Sequence, residues 1–92
     1  MSDDSAEITV VLADDHNVIR AGLRAMLEAE PDLRVIGEAG DAPGAARLVE
    51  DRRPDVLVLD LQMPGAEPRT DIPRLRETAP GTSIVVLTVQ AD

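Results

Sequence analysis

The chain has 92 residues, enough for one small domain, and its 18 acids against 9 bases give a formal charge of −9. Every base is Arg and Lys is absent; an acidic balance without a basic run argues against this segment gripping nucleic acid or an anionic membrane by itself. Cys is absent too, which removes disulfides, zinc-thiolate sites and thiol nucleophiles, and with no Phe, Trp or Tyr there is no stacking platform for bases and the core must come from Val, Leu, Ile, Ala and Met.

Residues 1–6 are acidic and polar and predict a disordered leader, leaving 7–92 as the folded segment. No basic-then-apolar signal peptide is visible, and no apolar run approaches the ~18 residues a membrane span needs, so a soluble, cytoplasmic chain is expected. Ile8-Thr9-Val10-Val11-Leu12-Ala13 is a β-branched run of strand length that stops at Asp14-Asp15. Ile19, Leu23 and Leu27 then form one helical row with Val18, Gly22 and Met26 beside it, predicting an amphipathic helix from about residue 17 to 29, capped by Asn17 or His16. Pro31-Asp32 ends it. Leu33 to Ala39 reads as a second strand, more alternating and so nearer an edge.

Asp41 followed by Pro43 is a helix-start signal, with Ala46, Leu48 and Val49 supplying the buried side up to Arg53 before Pro54 closes it. Val56 to Leu59 has no polar partner positions and fits a strand covered on both faces, hence a central one in a parallel sheet. It ends in Asp60, followed by a turn at Pro64-Gly65, which puts a carboxylate at the carboxyl end of a central strand, where open α/β sheets bind ligands. Pro68 and Pro73 are expected to compress the next helix to roughly residues 71–79, with Ile72, Leu75 and Ala79 inward. After Pro80-Gly81, Ser83 to Thr88 makes a fourth strand. Strands alternating with helices through short loops predict a parallel sheet with helices on both faces.

In such a sheet Asp14 and Asp15 leave the first strand at the end where Asp60 leaves the third and Thr88 the fourth. Converging carboxylates repel one another and call for a cation; all-oxygen ligands are hard, which recommends Mg²⁺ with places left for phosphate oxygens. A carboxylate can itself attack phosphorus to give an aspartyl-phosphate while a cation neutralises charge on the transferring group. Read without chemistry, the same residues are a solvated cap pair, a turn former and a strand-end hydroxyl. His16 reads as a partly exposed residue of the cap region, because the residues after it lack the acid-and-basic pattern of a phosphoryl-carrying histidine.

Asp14-Asp15-His16 after a first strand, Asp60 before Leu61-Gln62-Met63-Pro64-Gly65, and Leu87-Thr88 at the next strand end resemble the response-regulator receiver domains of bacterial two-component systems. Arg20-Ala21-Gly22-Leu23 resembles those whose receiver precedes a helix-turn-helix DNA-binding domain. The resemblance implies a flavodoxin-like doubly wound α/β sheet of strand order 2-1-3-4, with the family's fourth helix, fifth strand and fifth helix not present. It implies a regulatory protein, not an enzyme, that takes a phosphoryl group from a sensor histidine kinase. Asp60 is then the phosphoacceptor, Asp14, Asp15, Asp60 and the backbone of Gln62 hold Mg²⁺, and Thr88 is the switch hydroxyl. This sequence departs from the family in having no Lys and no aromatic switch residue, and in carrying Pro68 where Gly is usual and Pro73 within the third helix.

Two rivals differ in class. An aspartate-nucleophile phosphatase of the haloacid type would need a second Asp two residues after Asp60, where Gln62 stands. A receiver-like scaffold or dimerisation module without phosphorylation would keep the fold and fit the missing Lys. With Ile84, Val85, Val86 and Leu87 apolar on both faces of a last strand, a homodimer through that flank is expected.

Overall fold

A computed structural model describes residues 7–87, so the expected leader and Thr88 lie outside the described residues. The apolar runs become four parallel strands, β1 (Ile8–Ala13), β2 (Leu33–Ala39), β3 (Val56–Asp60) and β4 (Ser83–Leu87), in the order β2-β1-β3-β4. Between them run α1 (Asn17–Glu28), α2 (Ala42–Arg52) and α3 (Pro68–Thr78). The register sets Ala13 against both Leu59 and Ala39, so the residues leaving β1 and the last residue of β3 share one edge of the sheet. A bulge between Val10 and Val11 on the β2 side leaves Ile36 without a partner, since Val10 pairs with Val35 and Val11 with Gly37.

Strand alternation divides the interior in two. Val11, Ala13, Leu57 and Leu59 point to the face covered by α2 and α3, where Ala45, Val49, Leu75 and Ala79 meet them. Val10, Leu12 and Val35 point to the other face, where Leu23 and Leu27 of α1 cover them. Leu12 and Leu57 are both fully buried, and burying a side chain of that kind stabilises by about 1.5–3 kcal/mol.

The predicted stripe on α1 is only half used. Ile19, Leu23 and Leu27 turn inward to intermediate burial, whereas Val18 is 86% and Met26 70% exposed, and no α1 residue is fully buried. The helix is fastened to β2 by charge as well: Arg20 Nε lies 3.0 Å from Glu38 Oε1, and Arg24 pairs with the other oxygen of Glu38. With its inward row over β1 and β2, the neighbouring row of α1 faces solvent.

α2 begins as its sequence signal says. Asp41 is the N-cap, its Oδ1 accepting from the Gly44 amide at 2.7 Å, and the helix ends at Arg53 in the left-handed region, one residue before Pro54. Ala45 is buried along with Val49, while Ala46 and Leu48 pack at its margin, so the inner face is turned by one position from the expected one.

α3 corrects the sequence reading. It starts at Pro68, three residues before the expected 71 and with both prolines inside it. Pro68 falls in the first turn, where its missing N–H would have no intrahelical partner anyway. The Glu67 amide before it is held by Asp71 Oδ2 at 2.7 Å. Pro73 forfeits one bond, and the helix persists because Leu75 and Ala79, 6% and 2% exposed, anchor it on the sheet with Ile72 alongside.

Candidate functional site

Asp14 follows β1 and Asp60 ends β3, both effectively buried at 1% and 0% exposed. The backbone places them: the Asp14 amide donates to Ala39 O at 3.0 Å, extending the β1–β2 ladder by one step, and the Asp14 carbonyl accepts from Arg20 at 2.7 Å. Asp60 Oδ1 accepts from the Gln62 amide at 3.0 Å, which closes the turn after β3. That loop is tied across to α2 by Ala42 donating to Pro64 O at 3.2 Å. Gly65 there has φ +77°, with Pro43 so near that a Cβ would meet its Cδ at 3.3 Å.

Asp14, Asp15, His16 and Asp60 each offer a donor atom within 4.8 Å of the others. The three acids chosen from sequence therefore do come together. Gln62 is beside them, with its amide turned to Asp60; Thr88 falls outside the described residues. What sequence reasoning missed is His16. It occupies the N-cap of α1 as expected, but its side chain makes no cap bond; instead both its amide and its Nδ1 lie 2.8 Å from Asp14 Oδ1. Nδ1 is also 3.2 Å from Asp15 Oδ1 and 3.5 Å from Asp60 Oδ2. The signal was adjacency: a residue two after Asp14 can fold back on its carboxylate in an Asx-type turn.

The hydrogen bond to Asp14 raises the His16 pKa above its ordinary 6.5, and the charges of Asp15, Asp14 and Asp60 push the same way against a desolvation effect that lowers it. Asp14 Oδ2 and Asp60 Oδ2 are buried with no hydrogen-bond partner. Buried polar atoms are satisfied in most proteins, and carboxylate oxygens without a hydrogen-bond partner, in a group of like charges, are suited to a hard cation. Mg²⁺ suits these donors.

Residues 10–92 match the model of the response regulator receiver domain. The transcriptional regulatory protein LiaR of Bacillus subtilis is 42% identical over 81 residues, covering 88% of this chain and 38% of LiaR. The nitrate/nitrite response regulator NarL of Escherichia coli K12 is 37% identical over 81 residues, with the same two coverages. This chain thus spans about two fifths of the length of these relatives. Among solved structures, the signal receiver domain of a putative response regulator NarL from Mycobacterium tuberculosis superposes with a TM-score of 0.84 at 29% identity, over 94% of this chain and 69% of that one. RcsB of Salmonella enterica serovar Typhimurium, bound to promoter P1flhDC with the phosphomimetic BeF3−, gives 0.83 at 32% identity over 91% of this chain and 42% of that one. With its strand order, its acidic edge and a family match over nearly its whole length, the chain belongs to the response regulator receiver domains.

Proposed function

We propose that this chain accepts a phosphoryl group on Asp60 from a sensor histidine kinase, with Mg²⁺ held by Asp14, Asp15, Asp60 and the backbone of Gln62, and so governs a DNA-binding output domain. The observation that carries this reading is the buried, unpartnered Asp60 Oδ2 at the end of a central strand, facing two further acids. Oδ1 accepts from the Gln62 amide and Oδ2 has no hydrogen-bond partner, so the carboxylate could hold the cation through one oxygen and attack phosphorus through the other. A P–O bond forms as the P–N bond of the donor phosphohistidine breaks, and the donor imidazole leaves with a proton from solvent. Asp14 and Asp15 supply charge to the cation, and Arg20, by holding the Asp14 carbonyl, keeps that loop in place. The bound cation would neutralise charge on the transferring group.

These 92 residues contain no Lys, so the segment taken alone brings no ammonium to the transferring group and is expected to be modified slowly. Thr88 is proposed as the switch hydroxyl. A formal charge of −9 and the absence, among the described residues, of a helix able to cross a membrane fit a cytoplasmic segment that does not itself touch nucleic acid. The test is incubation with acetyl phosphate and Mg²⁺ followed by mapping of the adduct, which should fall on Asp60. An adduct on Asp14 or Asp15 would sink the assignment.

A further inference from the structure

The acidic edge holds one donor that phosphoryl acceptance does not use. His16 Nδ1 stands 2.8, 3.2 and 3.5 Å from oxygens of Asp14, Asp15 and Asp60. Donor atoms around a tetrahedral ion with bonds of about 2.0–2.1 Å sit about 3.3 Å apart, and around an octahedral ion with similar bonds about 2.9 Å apart. The separations around Nδ1 span that range. Two carboxylate oxygens in the same cluster, Asp14 Oδ2 and Asp60 Oδ2, are buried and lack a partner, so the group is short of a cation on its inner side. On its outer side the His16 side chain is 44% exposed, which leaves an ion a way in.

We propose that His16 Nδ1 is itself a metal ligand, making with Asp14, Asp15 and Asp60 a mixed nitrogen and oxygen site that prefers a first-row transition ion such as Co²⁺, Ni²⁺ or Zn²⁺ to Mg²⁺. Imidazole suits those ions, whereas Mg²⁺ favours oxygen and dehydrates reluctantly. Without an ion, the contact between Nδ1 and the Asp14 carboxylate needs a proton between the two atoms. A bound ion takes that place and leaves the ring protonated on Nε2 alone. The inference rests on the proposed reading of the acids as a cation site, and adds to it which metals the site selects and the residue that selects them.

His16 is the only histidine in the chain, so an untagged protein gives an unambiguous readout. Calorimetric titration with Co²⁺ and with Mg²⁺ is compared among wild type, His16→Ala, His16→Asn and Asp60→Asn, with far-UV circular dichroism confirming folding. Asn suits the same helix-cap position, so His16→Asn keeps the fold if Ala does not. Wild type should bind Co²⁺ more tightly than Mg²⁺. Both His16 variants should lose Co²⁺ affinity by at least about tenfold, the low end of what losing even an outer partner of a metal ligand costs. Their Mg²⁺ affinity should stay within about twofold, since oxygen donors suffice for that ion. Proton NMR of the Co²⁺ form should show a hyperfine-shifted Nε2–H from a directly bound ring.

Equal Co²⁺ affinity in wild type and both His16 variants overturns the inference, as does an unshifted imidazole. If that happens while Asp60→Asn still weakens Mg²⁺, only the histidine assignment fails. If wild type binds neither ion, the cation reading fails and takes this inference with it.

Discussion

Replacing Asp60 by Asn should stabilise the protein when no divalent ion is present. Asp60 is fully buried, its Oδ2 has no partner, and the carboxylates of Asp14 and Asp15 lie within the same cluster. Leaving a buried group unsatisfied costs about 1–3 kcal/mol, more when it is charged. Asn keeps the oxygen that accepts from the Gln62 amide, removes the charge, and offers an amide that can donate towards the neighbouring acids. Against this stands the lost attraction of Asp60 to His16 at 3.5 Å, a contact with an exposed ring that solvent screens. The gain is then of the order of that cost, about 1–3 kcal/mol, and for a domain of this size about 4–8 °C of Tm follows from each kcal/mol. Because the chain has no aromatic residue, the assay is thermal unfolding by far-UV circular dichroism in chelator, not fluorescence. Added Mg²⁺ should raise the wild-type Tm by mass action and narrow the gap. A variant melting at or below wild type in chelator would refute the claim that the Asp60 charge is uncompensated.

The His16 imidazole, followed by NMR without metal, should titrate above 6.5 and move back towards that value in Asp14→Asn, which removes the first cause of the rise. Its contribution to folding should be full below about pH 6.5, the unfolded value, and vanish as pH climbs through the raised folded value; a wild-type titration at or below 6.5 would contradict this. Gly65→Ala should lower stability by about 1–2 kcal/mol in urea unfolding, the usual penalty for a left-handed residue with a Cβ, because φ is +77° and Pro43 crowds the new methyl. No measurable change would mean that the loop moves freely. In the 92-residue segment taken alone, Val85 and Val86, 51% and 46% exposed on β4, are expected to mediate self-association, which light scattering should detect and Val85→Glu with Val86→Glu should abolish; a segment that stays monomeric at high micromolar concentration would dispose of the idea.

The strands were legible because each is an apolar run bounded by a breaker. Those bounds hold to the residue for β1 and β2, and β3 takes in Asp60 as its last member. Convergence of Asp14, Asp15 and Asp60 followed from parallel order alone, since every strand of such a sheet releases its last residue at one edge. α3 is not legible in this way, because a proline taken as a local breaker hides that Pro68 costs nothing in a first turn and that the burial of Leu75 and Ala79 outweighs one missing bond at Pro73. The direction of the His16 ring was hidden for a related reason: a cap preference speaks of backbone position, and only the fold shows that the nearest acceptor is a carboxylate behind it.

α1 lends the interior no fully buried residue, and it rests on a small apolar patch with Arg20 and Arg24 reaching to one glutamate. Segments fastened so lightly open on their own at a small fraction of the global unfolding free energy. Lifting α1 would leave the α2 and α3 side of the sheet closed but would release Arg20 from the Asp14 carbonyl, and with it the loop bearing Asp14, Asp15 and His16. A cation bound at these acids, as proposed, would therefore be linked to closure of the helix. A cation that grips those acids should slow amide exchange along α1 far from any ligand atom. Salt, which screens exposed charges over about 8 Å at physiological strength, should loosen the Arg–Glu tether, quicken exchange in α1 and weaken ion binding together.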